Sequence, residues 1–104
     1  MSDKAEFSVG QIMHHKLFDY RGVIVECDPT FSGSEEWYEQ VARSKPPKDQ
    51  PWYHVLVHGG THTTYVAHRN LEPDATGMGV VHPLLPLHFD EFRDGLYRVS
   101  GPAN

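Results

Sequence analysis

Histidine is the residue of this sequence with the most evident capacity for chemistry, since 8 of the 104 residues are histidines. His54 and His58 are four positions apart and would share one face of a strand, and His62 follows across a Gly-Gly turn. Three imidazoles are enough for an open zinc site. His14 and His15 are neighbours, so on a strand they point to opposite faces. Because no cysteine pair or HExxH motif accompanies these histidines, we interpret them as polar edge residues and predict no metal site.

Nucleophilic catalysis would have to rest on Cys27, the single cysteine of the chain. Cys27 comes late in an apolar run, where a cysteine usually behaves as a small hydrophobic side chain and not as a reactive thiolate. The sequence contains no GxSxG elbow, no P-loop and no GxGxxG motif. We therefore predict a protein without catalytic residues and without a cofactor. A lone cysteine also excludes an intramolecular disulfide and fits a reducing compartment.

Large aromatic side chains lie at the ends of the apolar runs and around a proline-rich loop, where they are candidates for a surface that binds another protein. The alternative is that a small β domain needs them to fill its core. For Trp52 the core is the favoured interpretation, whereas for Trp37 and Tyr20 the two are balanced. A groove of such residues would hold a peptide or stack nucleic-acid bases. The candidates for a protein-partner surface are Tyr20, Phe31, Trp37, Tyr38 and Trp52.

Basic residues are the candidates for contact with DNA, because Lys and Arg neutralise phosphates. The chain has 9 Lys and Arg against 14 Asp and Glu, a formal net charge of -5, and this acidic balance does not support a nucleic-acid binder. The basic residues would face one way if the segments that carry them meet in space, and otherwise belong to a mixed, solvated surface. The candidates are Lys16 and Arg21 at the first turn, Arg43, Lys45 and Lys48 in the proline-rich loop, and Arg69.

Short β-branched and aromatic runs between Gly and Pro residues indicate the strands that must position these side chains. In the clearest of them, Val23, Ile24 and Val25 suit a pleated and buried surface. Only a few residues join this strand to the one before it, so the two are predicted to form a hairpin. The five predicted strands cover residues 12–16, 21–28, 52–57, 63–68 and 96–99.

Helical segments are predicted to be short insertions between these strands. Residues 32–43 predict one helix, with Ser34 at an imperfect capping pattern and acidic residues in the first turn. Residues 70–73 read as a helical turn, and the spacing in residues 83–93 favours a helix after Pro86. The sum is a mostly β fold, a small curled five-stranded sheet or SH3-like barrel with short helical insertions.

The length of the chain fits a single domain over residues 1–104, with its core at about residues 7–99. Its longest apolar runs are far shorter than the roughly 18 residues of a membrane span. Residues 1–6 are polar and lack the apolar stretch of a secretory signal. We therefore expect a soluble, cytoplasmic domain that does not contact a membrane.

Four strings of the sequence resemble a known family when they are taken in order. FSVGQ at residues 7–11 is followed by YRGVI at 20–24, QPWYHVLV at 50–57 and YVA at 65–67. Together they are similar to the heat-shock protein HspQ family, also described as the YccV-like or hemimethylated-DNA-binding family. The resemblance covers about residues 7–99. His68 departs from it, since relatives more often carry an acidic residue there.

The resemblance implies a mostly β small barrel, self-association with a trimer as one option, and a bacterial cytoplasmic stress protein without catalytic residues. The resemblance implies two roles. One is to act with Lon protease and promote the degradation of denatured or specific proteins, including the replication initiator. The other is to bind hemimethylated DNA. DNA affinity rests largely on phosphate contacts, which the acidic balance of this chain does not favour. We therefore predict an adaptor or specificity factor of Lon protease, with hemimethylated-DNA binding as the alternative.

Overall fold

The computed structural model describes residues 6–42 and 44–99. Within those ranges, seven strands alternate with two short α-helices and one 3-10 helix, at His68–Asn70. The strands are β1 (Ile12–His15), β2 (Arg21–Asp28), β3 (Trp52–Val57), β4 (Thr63–Ala67), β5 (Leu71–Pro73), β6 (Glu91–Arg93) and β7 (Leu96–Arg98), and the helices are α1 (Glu35–Val41) and α2 (Leu85–His88). No helix in the described ranges has the length and apolar character that a membrane span requires.

Five of the strands form one antiparallel sheet in the order β4-β3-β2-β1-β5. The hairpin of β1 and β2 and the pairing of β3 with β4 are both as predicted. The remaining two strands, β6 and β7, form a second, two-stranded sheet, and an isolated bridge joins Leu96 of β7 to Gln11. The predicted fold class, a mostly β chain with a small curled sheet and short helical insertions, is therefore confirmed.

The two faces of the sheet carry different cores, because successive strand residues point to opposite sides. On β2, Ile24 points into one core with Tyr53 and Val66, and Val23 points into the other with Leu56. The segment that follows β5 covers part of the second face. Helix α1 covers another part, through a cluster of Tyr38, Ala42, Trp52 and Ala67. Between these two covers, the second face stays accessible.

Helix α1 lies within the predicted residues 32–43 and has the predicted Ser34 as its N-cap, and two hydrogen bonds fix its position. Ser34 Oγ accepts from the Trp37 N–H at 3.1 Å, which satisfies one of the backbone donors at the helix start. From the middle of the helix, the buried Tyr38 donates its hydroxyl to the Pro46 carbonyl at 2.7 Å. The helix and the proline-rich loop after it therefore form one rigid cover over the sheet.

Residues 71–73 form the strand β5, so the prediction of a helical turn over residues 70–73 is wrong except at Asn70. A 3-10 helix at His68–Asn70 comes first, and β5 then pairs with β1, with His15 opposite Leu71. Leu71 is buried in the core, and Pro73 is tolerated because β5 is an edge strand. The fifth strand of the sheet is thus β5, whereas residues 96–99, predicted for that place, supply β7 of the separate hairpin.

The C-terminal segment differs from its prediction in two further ways. Helix α2 starts before Pro86 and includes it in the first turn, where a missing N–H costs no helical hydrogen bond. Residues 91–93, read as helical, form β6 and pair with β7. The turn between them has positive φ at Asp94 (57°) and Gly95 (77°), as a two-residue hairpin requires.

Candidate functional site

A groove of about 480 Å³ follows the edge of the sheet at β4, and we call it the edge groove. All five residues of β4, Thr63–Ala67, line it. One wall is the turn between β1 and β2, with Leu17, Phe18 and Tyr20. The opposite wall is α1 with the residues that follow it, including Trp37. The groove therefore lies between two segments that sequence analysis selected independently.

Four of the five residues predicted for a protein-partner surface form one aromatic cluster beside the edge groove. Phe31 packs against Trp37 and Trp52 with ring centroids 6.0 and 4.9 Å apart, and against Tyr38 at 5.4 Å. Trp52 and Tyr38 are buried and support the cluster from below, whereas Phe31 and Trp37 are half-buried. Trp52 is thus a core residue, as favoured above, and its indole N–H donates to the Pro47 carbonyl.

Tyr20, the fifth predicted residue, stands on the other wall of the edge groove. Its hydroxyl shares a hydrogen bond of 2.8 Å with Thr64 Oγ1, which links the first turn to β4. Burial raises the pKa of Tyr20 above its ordinary value, so the hydroxyl stays neutral. Tyr20 and the aromatic cluster therefore face each other across β4.

Sequence reasoning missed three apolar residues that give the groove its open character. Leu17 is 56% exposed, Phe18 is 63% exposed and Val41 is 50% exposed, and all three line the edge groove. The available signal was the adjacent pair Leu17-Phe18 in a turn, where polar residues are the rule. Exposed apolar groups beside a concavity are typical of a binding surface.

A second cavity of about 470 Å³ adjoins the edge groove and shares Trp37, His54 and Tyr65 with it. Glu26 and Asp28 line this cavity only. Glu26 lies directly across from His54 in the pairing of β2 with β3. We call the group Glu26, Asp28 and His54 the acidic corner.

Hydrogen bonds hold the acidic corner in place. The Tyr65 hydroxyl donates to Asp28 Oδ2 at 2.6 Å, and His54 Nε2 lies 3.4 Å from the same oxygen. Burial, together with the hydrogen bond to Asp28, raises the pKa of Tyr65. The hydroxyl therefore remains a donor, and Asp28 presents its carboxylate to the cavity.

The three histidines that would form a zinc site do not come together. Among the described residues, the one group of three that brings ligand atoms within 4.8 Å of one another is the acidic corner, which contains His54 alone of the three. His58 Nδ1 accepts from the Val81 N–H at 2.9 Å. The His62 carbonyl is 3.0 Å from His82 Nε2. His58 and His62 thus connect the β3–β4 turn to the C-terminal segment.

Two of the predicted DNA contacts lie in the proline-rich loop, where acidic residues of α1 neutralise them. Lys45 Nζ is 3.0 Å from Glu39 Oε1, and Lys48 is ion-paired with Glu35. Lys48 Nζ also lies 4.3 Å from the centre of the Tyr38 ring, within the range of a cation–π contact. Both cations are therefore already engaged by residues of α1.

The other predicted DNA contacts are dispersed. Arg21 is engaged by Asp74 at 3.1 Å, and Arg69 donates to the Ser44 carbonyl at 2.8 Å. Lys16 is exposed. Arg43 lies outside the described residues. The turn and the loop that carry most of these residues face each other across the edge groove, but the cations described here form no continuous basic patch.

Cys27 has surroundings that disfavour its reactive form. Burial raises the pKa of the thiol, and the negative charges of Glu6 and Asp28 raise it further. A thiol is a nucleophile only as its thiolate. The site thus offers hydrophobic contact and carboxylates, and Cys27 contributes as an apolar side chain.

His14 and His15 lie on opposite faces of β1, and their surroundings drive their pKa values apart. His14 lies 2.7 Å from Asp19 Oδ1 and 2.7 Å from Glu72 Oε2, and these hydrogen bonds raise the pKa of His14. His15 is buried, and its Nδ1 accepts from two backbone N–H groups of the following turn, both at 3.1 Å. Burial, with the charge of His14 nearby, lowers the pKa of His15.

We expect NMR titration of the imidazole carbons to give a midpoint above about 6.5 for His14 and below it for His15. A raised pKa stabilises the fold below about pH 6.5 and loses that effect as the pH rises, whereas a lowered pKa stabilises it above about 6.5 and loses that effect as the pH falls. The variant His14→Gln loses the contribution of His14 and keeps that of His15. The free energy of unfolding of this variant should therefore fall on acidification. Equal midpoints for both histidines would contradict this assignment.

Comparison with known proteins adds two findings. A family model described as "Hemimethylated DNA-binding protein YccV like" matches residues 5–96. The human protein "F-box only protein 21" is 36% identical over 88 residues, which are 83% of this chain and 14% of that protein. The proteins of the same name from Pongo abelii and Mus musculus are 36% and 35% identical over the same length. The chain thus spans a small part of these relatives.

Proposed function

The chain belongs to the family of YccV-like hemimethylated DNA-binding proteins, and we propose that it is a binding protein without catalytic activity whose main partners are other proteins. It binds denatured or specific client proteins, the replication initiator among them, and promotes their degradation as an adaptor or specificity factor of Lon protease. The observation that carries this proposal is the edge groove, with its half-buried aromatic wall and its exposed apolar residues.

Protein binding fits the groove because apolar concavities with aromatic anchors supply most of the energy of protein interfaces. Trp37 and Tyr20 offer large rings on opposite walls, and Leu17 and Phe18 offer apolar surface that water covers in the free protein. A denatured client exposes apolar side chains of the same kind. The match between the two is the physical basis of the proposed selectivity for unfolded proteins.

Binding of hemimethylated DNA is the second candidate, and the description of the family favours it. Lys16 and Arg69 are exposed and would be its first contacts, with Arg43 as a further candidate outside the described residues. Against it stand the ion pairs of Lys45 and Lys48 and the net charge of -5. Phosphates would also approach the carboxylates of the acidic corner, and like charges repel.

The test is a paired titration at about 50 and 200 mM salt. One arm measures degradation of a denatured client by Lon protease with and without the chain, and the other measures binding to hemimethylated and fully methylated duplexes. We expect faster degradation at both salt concentrations and weak, methylation-blind DNA binding. Methylation-dependent DNA binding that falls at least about tenfold over this salt range, with no effect on proteolysis, would overturn the proposal in favour of the second candidate.

Self-association is part of the proposal, with a trimer as one option. The C-terminal hairpin carries Phe92 at 42% exposure and Leu96 at 36%, followed by Val99 at 68%. Phe92 is paired with Tyr97 and Leu96 with Arg93, so apolar groups are exposed on both faces of this hairpin, and either face is a candidate for a contact between chains. Light scattering after size-exclusion chromatography gives the mass, and a monomer at all concentrations would remove this part of the proposal.

A further inference from the structure

We propose that the edge groove binds an extended peptide segment that adds to β4 as a further strand and places a Lys or Arg side chain in the acidic corner. This rests on the proposed function and specifies the chemistry of the client segment. Three features of the described residues support it: the position of β4 in the sheet, the two unlike walls, and the charge of the adjoining cavity.

The first feature is the open edge of β4. In the described part of the chain, β4 pairs with β3 alone, and all five of its residues line the groove. Five residues of strand extend over about 17 Å, and an unpaired edge is a template for a strand from another chain. The opposite edge differs, because β5 has three residues and ends at Pro73, which has no N–H to donate.

The second feature is the pair of walls, one on each side of β4. Tyr20 bonds to Thr64 and packs against the core that contains Val66. Trp37 packs on the other face, against the cluster that contains Ala67. Side chains of an added strand point alternately to these two sides. Apolar residues at successive positions would therefore meet the first-turn wall and the α1 wall in turn.

The third feature is the acidic corner. It opens from the edge groove past Trp37, His54 and Tyr65. A long cationic side chain that passes the rings of Trp37 and Tyr65 gains cation–π contact and reaches the carboxylates of Glu26 and Asp28. An acidic side chain would be repelled there. The preferred segment therefore combines apolar residues with one Lys or Arg. Unfolded proteins commonly expose such segments, whereas DNA has no group of this kind.

The test uses a nine-residue peptide of leucine, valine and threonine with one central arginine, in buffer with a chelator. A second peptide replaces the arginine by citrulline, which is neutral and of the same shape, and a third is N-methylated at alternate residues. Citrulline loses a hydrogen bond between charged groups, and N-methylation loses several neutral backbone hydrogen bonds. We expect each change to weaken binding about tenfold or more. The full chain is used, and tryptophan fluorescence and calorimetry report the affinity.

Protein variants separate the two parts of the proposal. In the double variant Glu26→Gln, Asp28→Asn, the preference for arginine over citrulline should disappear, while the effect of N-methylation should remain. Glu36→Gln is the matched control, since Glu36 is exposed in the first turn of α1 and outside the acidic corner. This control should keep the preference unchanged.

Each alternative outcome has a distinct meaning. Equal affinity of the N-methylated peptide overturns strand addition, and equal affinity of the citrulline peptide overturns the cation site. If no peptide binds although Lon degrades the client faster in the presence of the chain, the inference fails and the proposed function stands. If neither effect is seen, both fail. Displacement of the peptide by hemimethylated duplex would assign the groove to DNA and overturn the inference.

Discussion

Asp74→Ala is expected to lower the free energy of unfolding by about 3 kcal/mol, because it leaves the Arg21 guanidinium without its carboxylate. The Asp74 side chain is 5% exposed and that of Arg21 is 19% exposed, with Arg21 Nε 3.1 Å from Asp74 Oδ1. Arg21 also donates to the carbonyls of Met78 and Gly79. This one side chain thus ties the start of β2 to the loop after β5. Urea denaturation at pH 7 measures the loss.

The same ion pair predicts a dependence on pH. Burial by itself raises the pKa of Asp74, but hydrogen bonds from Thr76 and Arg21 outweigh it, so the pKa lies below its ordinary value. A lowered carboxyl pKa stabilises the fold above about 3.9 and the effect is lost as the pH falls further. Asp74→Ala should therefore reduce the acid sensitivity of the fold as well as its stability at pH 7.

The control is Glu36→Ala, which removes the same charge from an exposed position and should change stability by less than about 0.5 kcal/mol. A double-mutant cycle with Arg21→Ala isolates the energy of the pair. Equal effects of Asp74→Ala and Glu36→Ala would show that the pair is solvated and contributes little. The cycle also bears on DNA binding, because a loss of affinity in Arg21→Ala counts as a lost phosphate contact only if the variant is folded.

Strands that bury a β-branched run on both sides could be predicted from the sequence, whereas the three-residue strands β5 and β6 could not. Val23 and Ile24 identify β2 by residue type alone, since each fills one of the two cores. β5 has three residues and a proline, and its strand conformation depends on pairing with β1. β6 likewise depends on β7. In both places the strand conformation depends on the partner strand, and the spacing of residues within the segment does not indicate that partner.

The candidate site was predictable in its residue types and not in its arrangement. Large rings are conspicuous in a chain of this length, and Trp37 and Tyr20 do line a groove. The same reasoning grouped the cations by their segments of the chain, whereas Arg21 is satisfied by Asp74, 53 positions away. The edge position of β4 follows only from the order of the strands. Which polar groups are already paired is a tertiary property, and it decides what is left to bind a partner.

Trp37→Ala is expected to weaken binding of a denatured client by about thirtyfold or more, the loss typical of a central aromatic residue of an interface. Trp37 belongs to the lining of both cavities, and its ring lies 5.7 Å from Tyr65 and 6.1 Å from Trp52. It therefore contacts any segment that enters from either side. Calorimetric titration with a chemically denatured client measures the affinity.

Stability must be measured with binding, because Trp37 also packs on the cluster below it. Trp37→Phe keeps an aromatic ring and should retain most of the affinity. Leu87→Ala is the matched control for the loss of apolar surface, since Leu87 is 78% exposed and outside the groove lining, and it should bind as the wild type does. A fully folded Trp37→Ala variant with unchanged affinity would exclude the edge groove as the client site.

The salt dependence of the Trp37→Ala loss distinguishes the two candidate functions. Apolar contact is insensitive to salt screening, so for a protein client the ratio of wild-type to variant affinity should be the same at about 50 and 200 mM salt. Affinity for duplex DNA depends on phosphate contacts and falls with salt in both proteins, and loss of a groove ring should leave it nearly unchanged. If Trp37→Ala loses affinity for DNA and keeps its affinity for the protein client, the adaptor proposal is contradicted.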